Sequence, residues 1–113
     1  MSLFSFEGAS GRHYDYMSLN LKSREGFPMG GGNYLFTRPG ASGVEIVCAG
    51  ETESLWIVFV STMLWDIAKK RHGATGACVH LNPDSRARRM EWADIVMKHA
   101  PPMNVETPEE RAS

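Results

Sequence analysis

The sequence has few of the features that mark secreted, membrane-spanning or strongly charged proteins. Its 113 residues include two cysteines, Cys48 and Cys78, too few for the disulfide framework of a small secreted domain. The longest apolar run, Leu55–Leu64, is shorter than the ~20 residues that cross a bilayer. Met1–Gly11 lacks the basic start and apolar centre of a signal peptide. We therefore expect a cytoplasmic protein with no membrane segment and with buried thiols.

Strong net charge is also missing, because the formal net charge is −1. No overall field draws the chain to nucleic acid or to acidic membranes. Charge is instead local: Arg86, Arg88 and Arg89 lie close together, and Val105–Ser113 is an acidic tail that we expect to be disordered. Apolar content of 42% and charged content of 22% indicate one globular domain, which we place at residues 1–104, with Met1–Gly11 frayed.

Alternating apolar positions and glycine or proline breaks predict four strands and two main helices. The predicted strands are Tyr14–Leu21, Asn33–Arg38, Val44–Ala49 and Ala77–Leu81. The turn at Pro39–Gly43 has hairpin length, so the second and third strands should pair antiparallel. The helices are predicted at Ser54–His72 and from Pro83 to about His99, the second capped by Asn82. The fold class is α/β (α+β): a small, mainly antiparallel sheet of three to four strands packed with two main helices.

The first half of the long helix is unusual because Trp56–Val60 is apolar on every face. Surface helices keep one polar face. This segment is therefore either enclosed by the fold or used as a contact in a homodimer.

Three residues are candidates for chemistry. Tyr34 lies in the hairpin, Glu91 in the second helix close to the arginines, and Asn104 directly after a proline stop. A phenol, a carboxylate and an amide near arginines suit one divalent cation and a phosphodiester. A purely structural alternative makes Tyr34 a core aromatic residue and Glu91 a solvated partner of Arg88.

The order of these motifs resembles the GIY-YIG nuclease superfamily. Gly32-Asn33-Tyr34 resembles its first motif, and Cys48-Ala49-Gly50 stands where its second motif is expected. Glu91 is similar to the metal-binding glutamate of the family. Pro101-Pro102-Met103-Asn104 is similar to its terminal proline-x-asparagine element, so the resemblance runs from about Gly30 to Asn104.

The resemblance implies roles for these residues. Glu91 would hold Mg²⁺ or Mn²⁺, Tyr34 would act as the base, and Asn104 would position the site. Contacts with nucleic acid would come from the arginines of the two helices, Arg71, Arg86, Arg88 and Arg89.

Two departures count against catalysis. Cys48 replaces the second tyrosine of the family, and Val58 occupies the position of its helix arginine. Losing one such charge stabiliser typically costs about a hundredfold in rate. We therefore interpret the chain as a degenerate GIY-YIG-like domain that binds nucleic acid or a partner with little or no nuclease activity. The alternatives are a slow, metal-dependent endonuclease using Tyr34 and Glu91, and a homodimeric structural or adaptor domain.

A zinc site is a weaker alternative. His72, Cys78 and His80 are potential ligands, but no second pair of Cys or His at ligand spacing completes a tetrahedral set.

Overall fold

The structure, a computed structural model, describes residues 3–22, 28–41, 43–61 and 63–105. Its elements are β1 (Leu3–Glu7), β2 (His13–Ser18), β3 (Gly32–Gly40), β4 (Gly43–Thr52), α1 (Leu55–Ser61), α2 (Met63–His72), β5 (Gly76–Leu81), α3 (Ser85–His99) and α4 (Pro102–Val105). The five strands form one antiparallel sheet in the order β1-β2-β5-β3-β4. The predicted class, an antiparallel sheet packed with helices, is confirmed.

The predicted hairpin is the β3–β4 pair, with Tyr34 opposite Gly50 and Leu35 opposite Ala49. The register shifts between Phe36 and Thr37, which marks a β-bulge. Because β3 also pairs with β5, it lies inside the sheet and β4 forms one edge.

The two faces of the sheet bury separate cores, because side chains alternate along each strand. One face packs Tyr34, Phe36 and Val79 against Leu55 and Phe59 of α1. On the opposite face, Ile95 of α3 packs against a second group of strand residues: Phe6, Tyr16, Leu35, Ile46, Ala49 and Cys78. A residue on β3 therefore faces either α1 or α3, and this choice decides which candidate site residues can meet.

The prediction that Met1–Gly11 frays is wrong for the described part of that segment. Residues 3–7 form β1 and pair with β2. Phe6 is buried edge-on against Tyr16, with ring centroids 6.0 Å apart. The ring of His99 adds a contact of 2.8 Å from its Nε2 to the carbonyl oxygen of Glu7. Burial of Phe6 therefore stabilises a strand in a segment whose glycines and short length predict a frayed end.

The long predicted helix Ser54–His72 corresponds to α1 and α2. They stand on either side of Thr62, which lies outside the described residues. Trp56–Val60 is enclosed only in part: Phe59 is buried, whereas Ile57 and Val60 are exposed.

The predicted cap of α3 needs correction, because Asp84 rather than Asn82 is the N-cap. The Asp84 carboxylate accepts hydrogen bonds from the backbone N–H groups of Arg86, at 3.0 Å, and Ala87, at 3.4 Å. Asn82 instead accepts the Asp84 N–H at 3.3 Å, so it shapes the turn before the helix.

The C-terminal part of the domain folds back on β4. Helix α3 ends as predicted at His99, where Ala100 adopts the left-handed conformation with φ 43°. The short helix α4 then follows. The sequence does not predict it, because Pro101 and Pro102 indicate only the end of α3. Val105, the first residue of the predicted disordered tail, belongs to α4, and residues 106–113 lie outside the described residues. No helix in the described ranges is long and apolar enough to span a membrane.

Candidate functional site

A cleft of about 380 Å³ opens at the β4 edge of the sheet, between that strand, α3 and α4. It brings together two of the three predicted catalytic residues, Tyr34 and Asn104, with one of the predicted arginines, Arg89. The other lining residues are Cys48, Ala49, Gly50, Glu51, Leu64 and Trp92. Glu91 is not among them.

Tyr34 is mainly a core aromatic residue with one side at the cleft. Its ring contacts Phe36 and Phe59, at centroid distances of 5.6 and 6.3 Å. It also lies directly over Gly50, where a Cβ would come within 2.1 Å of the ring carbon Cζ. The absence of a side chain at Gly50 is therefore required by Tyr34 on steric grounds alone.

Asn104 satisfies the exposed edge of β4. Its Oδ1 accepts the Ala49 N–H at 2.8 Å, and its Nδ2 donates to the Ala49 carbonyl oxygen at 2.8 Å. The side-chain amide thus pairs with the strand as another strand would, which blunts an edge that could otherwise recruit a second chain. The same carbonyl accepts the Trp92 indole N–H at 3.0 Å. Both polar atoms of Asn104 are used structurally.

The arginines of α3 divide into one buried and two exposed side chains. Arg88 is buried: its Nε donates to Glu51 at 3.0 Å and its Nη1 donates to the carbonyl oxygens of Asn82 and Pro83. It therefore closes the turn before α3 and does not present a surface cation. The prediction of Arg88 as a nucleic-acid contact conflicts with this placement.

Arg86 and Arg89 lie on the exposed side of α3, three residues apart. Neither guanidinium has an ion pair or hydrogen bond within the ranges that the structure describes. Arg89 borders the cleft, whereas Arg71 is exposed near the end of α2 and does not line it. Of the four predicted arginines, Arg89 therefore borders the cleft and Arg86 lies one helical turn from it on the same exposed side of α3.

Glu91 lies on the opposite face of the sheet from Tyr34. It is 3% exposed, and its Oε2 accepts the Tyr16 hydroxyl at 2.5 Å. The Nδ1 of His80 is 2.8 Å from its Oε1. Asn33, which precedes Tyr34 on β3 and so faces the other way, donates its Nδ2 to the Arg88 carbonyl on α3. The sheet itself separates the carboxylate of Glu91 from the phenol of Tyr34.

Burial keeps two groups on this face protonated. Desolvation, and then the neighbouring Glu91 charge, raise the pKa of Tyr16 far above its usual value, so the phenol stays a hydrogen-bond donor. Burial also raises the pKa of Cys78 to about 12, which makes its thiol unreactive at neutral pH.

No cluster of three His, Cys, Asp or Glu side chains at metal-binding distance occurs in residues 3–22, 28–41, 43–61 and 63–105. His80 and Cys78 share a face of β5, but the imidazole Nδ1 of His80 is directed at Glu91. The resemblance assigns Mg²⁺ or Mn²⁺ to Glu91, but this carboxylate already contacts Tyr16 and His80 and lies away from the cleft. Among the described residues, the carboxylate that lines the cleft is that of Glu51, which is paired with Arg88. The carboxylates therefore do not converge on one site.

Sequence reasoning missed Trp92, Tyr16 and His80 as partners of the candidate residues. Trp92 follows Arg89 by three residues, so helical spacing alone could have placed it beside the cleft. Tyr16 and His80 meet Glu91 only because β2 and β5 are neighbours in the sheet, a pairing of distant segments that no local pattern reveals.

Comparison of the chain with protein-family models, with curated proteins and with solved structures finds no match. The resemblance to the GIY-YIG superfamily therefore stays a prediction from the motifs.

Proposed function

We propose that the chain is a degenerate GIY-YIG-like domain that binds nucleic acid through the cleft at the β4 edge and has little or no nuclease activity. The observation that carries the proposal is the division of the candidate residues between two faces. The cleft holds an aromatic ring, Trp92, and a cation, Arg89, that has no ion pair among the residues that the structure describes. The predicted metal ligand, Glu91, is fixed on the other face by Tyr16 and His80.

The charge beside the cleft suits a phosphate backbone. Arg86 and Arg89 share one exposed side of α3 and have no acid opposite them within the described residues. The acid that does line the cleft, Glu51, is neutralised by Arg88 at 3.0 Å. Phosphate contacts of this kind supply much of the affinity of nucleic-acid-binding proteins.

The test is binding of a fluorescent oligonucleotide, measured by anisotropy at several salt concentrations. Reversal of both exposed arginines, Arg86→Glu with Arg89→Glu, should weaken binding at least ~10-fold. If two phosphate contacts are lost, the slope of log K against log salt should also fall by roughly 1.4 on single strands. The matched control is Lys69→Glu with Lys70→Glu, which changes the net charge equally on α2.

Equal loss in both double variants would show that only overall charge matters and would contradict a located site. No binding to any oligonucleotide would contradict the nucleic-acid role and leave a protein partner for the cleft. Cleavage of supercoiled DNA with Mn²⁺, lost in Tyr34→Phe, would establish the slow endonuclease instead.

A homodimer is the second candidate, because α1 and α2 leave a row of apolar side chains uncovered. Ile57 is 65% exposed and Met63 69%, with Val60 between them at 41%. Ile57 and Val60 are three residues apart on α1 and so share one side of that helix, and Met63 begins α2; we call these three exposed side chains the apolar stripe. A stable interface buries about 800 Å² on each partner, which is more surface than three side chains provide. We therefore rank the homodimer second.

The dimer is tested by mass measurement in solution at increasing concentration. Ile57→Asp should abolish a dimer that uses the stripe, whereas Met97→Asp, on an exposed side of α3, should not. Phe59→Asp is unsuitable because Phe59 is buried against Phe36 and Tyr34. A monomer at every concentration would exclude this function.

A further inference from the structure

The ring of Trp92 is held in a fixed position at the mouth of the cleft. Its indole N–H donates to the Ala49 carbonyl at 3.0 Å, and the Asn104 amide donates to the same oxygen. At 37% exposure, a large part of the residue remains open to solvent. A ring that is pinned by its N–H and still accessible loses little conformational entropy when a flat ligand stacks on it.

The cleft supplies a complementary charge and a limited space. Arg89 lies one helical turn before Trp92 and lines the same cleft. The volume of about 380 Å³ is at the small end of the ~300–1,000 Å³ typical of small-ligand sites. The remaining walls are mostly apolar or backbone, including Cys48, Gly50 and Leu64.

These features suit one unpaired nucleotide better than a duplex. In a double helix both faces of each base are covered by neighbouring bases, so an indole cannot stack on them unless the base leaves the helix. In a single strand the bases are available, and proteins bind them by stacking on aromatic side chains beside arginine contacts to phosphate.

We propose that the cleft selects single-stranded nucleic acid, with one unpaired base stacked on Trp92 and the adjacent phosphate held by Arg89. This inference rests on the proposed function and names its ligand class. Arg86, one helical turn before Arg89 in α3, is placed to contact a second phosphate of the same strand.

The experiment compares a labelled single-stranded DNA, the RNA of the same sequence and the corresponding DNA duplex. The wild-type protein should bind a single strand at least ~10-fold more tightly than the duplex. The DNA and RNA arms show whether the sugar contributes.

Variants of Trp92 separate stacking from a structural effect. Trp92→Ala should weaken single-strand binding about 5- to 150-fold, the range found for loss of one stacked base. Trp92→Phe keeps an aromatic ring for stacking but loses the bond to Ala49 that fixes the ring, so its affinity should lie between those of the wild type and Trp92→Ala. Oligonucleotide should also quench tryptophan emission in the wild type and much less in Trp92→Phe, although that variant still binds.

The outcomes separate this inference from the proposed function. If duplex and single strand bind equally and Trp92→Ala has no effect, while reversal of Arg86 and Arg89 still weakens binding, the stacking inference is refuted and nucleic-acid binding stands. If Trp92→Phe loses as much affinity as Trp92→Ala, the indole acts structurally and the inference also fails. If no nucleic acid binds, both proposals fail.

Discussion

Replacing Glu91 by alanine should damage the fold rather than remove a catalytic group. The carboxylate is buried and is shared by two donors, the Tyr16 hydroxyl and the His80 ring. Tyr16 is almost completely buried, so its hydroxyl cannot turn to water when the acceptor is lost. A buried donor left without a partner costs about 1–3 kcal/mol.

The other contributions are smaller. The His80 side chain is about one-third exposed, at 37%, so its ring can exchange Glu91 for water and the contact contributes little. Loss of one buried methylene group adds about 0.8 kcal/mol. We therefore expect Glu91→Ala to lower the free energy of unfolding by about 2–4 kcal/mol, a large part of the ~5–15 kcal/mol typical of a domain.

The assay is urea unfolding followed by circular dichroism, with Glu53→Ala as the control. Glu53 is an exposed glutamate just before α1, and surface substitutions of this kind usually change stability by less than about 0.5 kcal/mol. The unfolding midpoint of Glu91→Ala should fall clearly below both the wild type and this control, with an unchanged slope.

A loss for Glu91→Ala no larger than that of Glu53→Ala would refute the reasoning, because the buried network would then contribute nothing. A second result would refute it from the other side. If Mg²⁺ or Mn²⁺ raised the midpoint of the wild type in a saturable way but not that of Glu91→Ala, the carboxylate would be a metal ligand.

Three further perturbations have defined outcomes. The pKa of Tyr16 is raised in the folded protein, so its contribution to stability is complete below about pH 10 and is lost as the pH rises above that value. The free energy of unfolding should fall there by up to ~1.4 kcal/mol per pH unit. Tyr16→Phe should therefore make the alkaline part of the plot of unfolding free energy against pH flatter. If that part of the plot is unchanged, the reasoning about Tyr16 is refuted, and the raised pKa values of Cys78, at about 12, and of Tyr14 account for its slope. Gly50→Ala should lower the free energy of unfolding by about 1–3 kcal/mol, measured by heat or urea, because the new methyl group overlaps the Tyr34 ring. Gly30→Ala, with open space around its Cβ position, should lower it far less. Equal losses would contradict the packing described. Asn104→Asp removes the donor to the β4 edge and puts a carboxylate against the Ala49 carbonyl oxygen. It should lower the free energy of unfolding by about 1–3 kcal/mol and increase aggregation, measured by light scattering. No change in either quantity would show that the edge does not need the amide.

Local pattern predicted the elements better than their partners. The β3–β4 hairpin, β5 and α3 follow from alternation, turn residues and the proline after the second helix, which act over a few residues. β1 was missed because its stability comes from contacts with distant segments: Phe6 packs on Tyr16, and the Glu7 carbonyl meets His99. No propensity within residues 3–7 contains that information.

The candidate site shows the same limit. The sequence grouped Arg86, Arg88 and Arg89 without separating the buried Arg88 from the two exposed side chains, and the motif order predicted Tyr34 near Asn104. It could not place Glu91, because the face of the sheet on which α3 packs depends on tertiary topology. A carboxylate one turn further along the helix from Arg88 is equally compatible, in sequence, with a wet cleft and with a buried network.

The burial of Glu91 also decides how a nuclease assay must be interpreted. Loss of cleavage in Glu91→Ala would have two explanations, since the variant removes a possible metal ligand and also weakens the fold. Tyr16→Phe separates them: it weakens the same buried network but leaves the carboxylate in place. If cleavage survives in Tyr16→Phe and is lost in Glu91→Ala at equal residual stability, Glu91 acts chemically and must leave the position seen here. If cleavage instead follows stability through both variants, the carboxylate is structural. Tyr34→Phe then tests the remaining phenol without disturbing the α3 face, because its ring belongs to the other core.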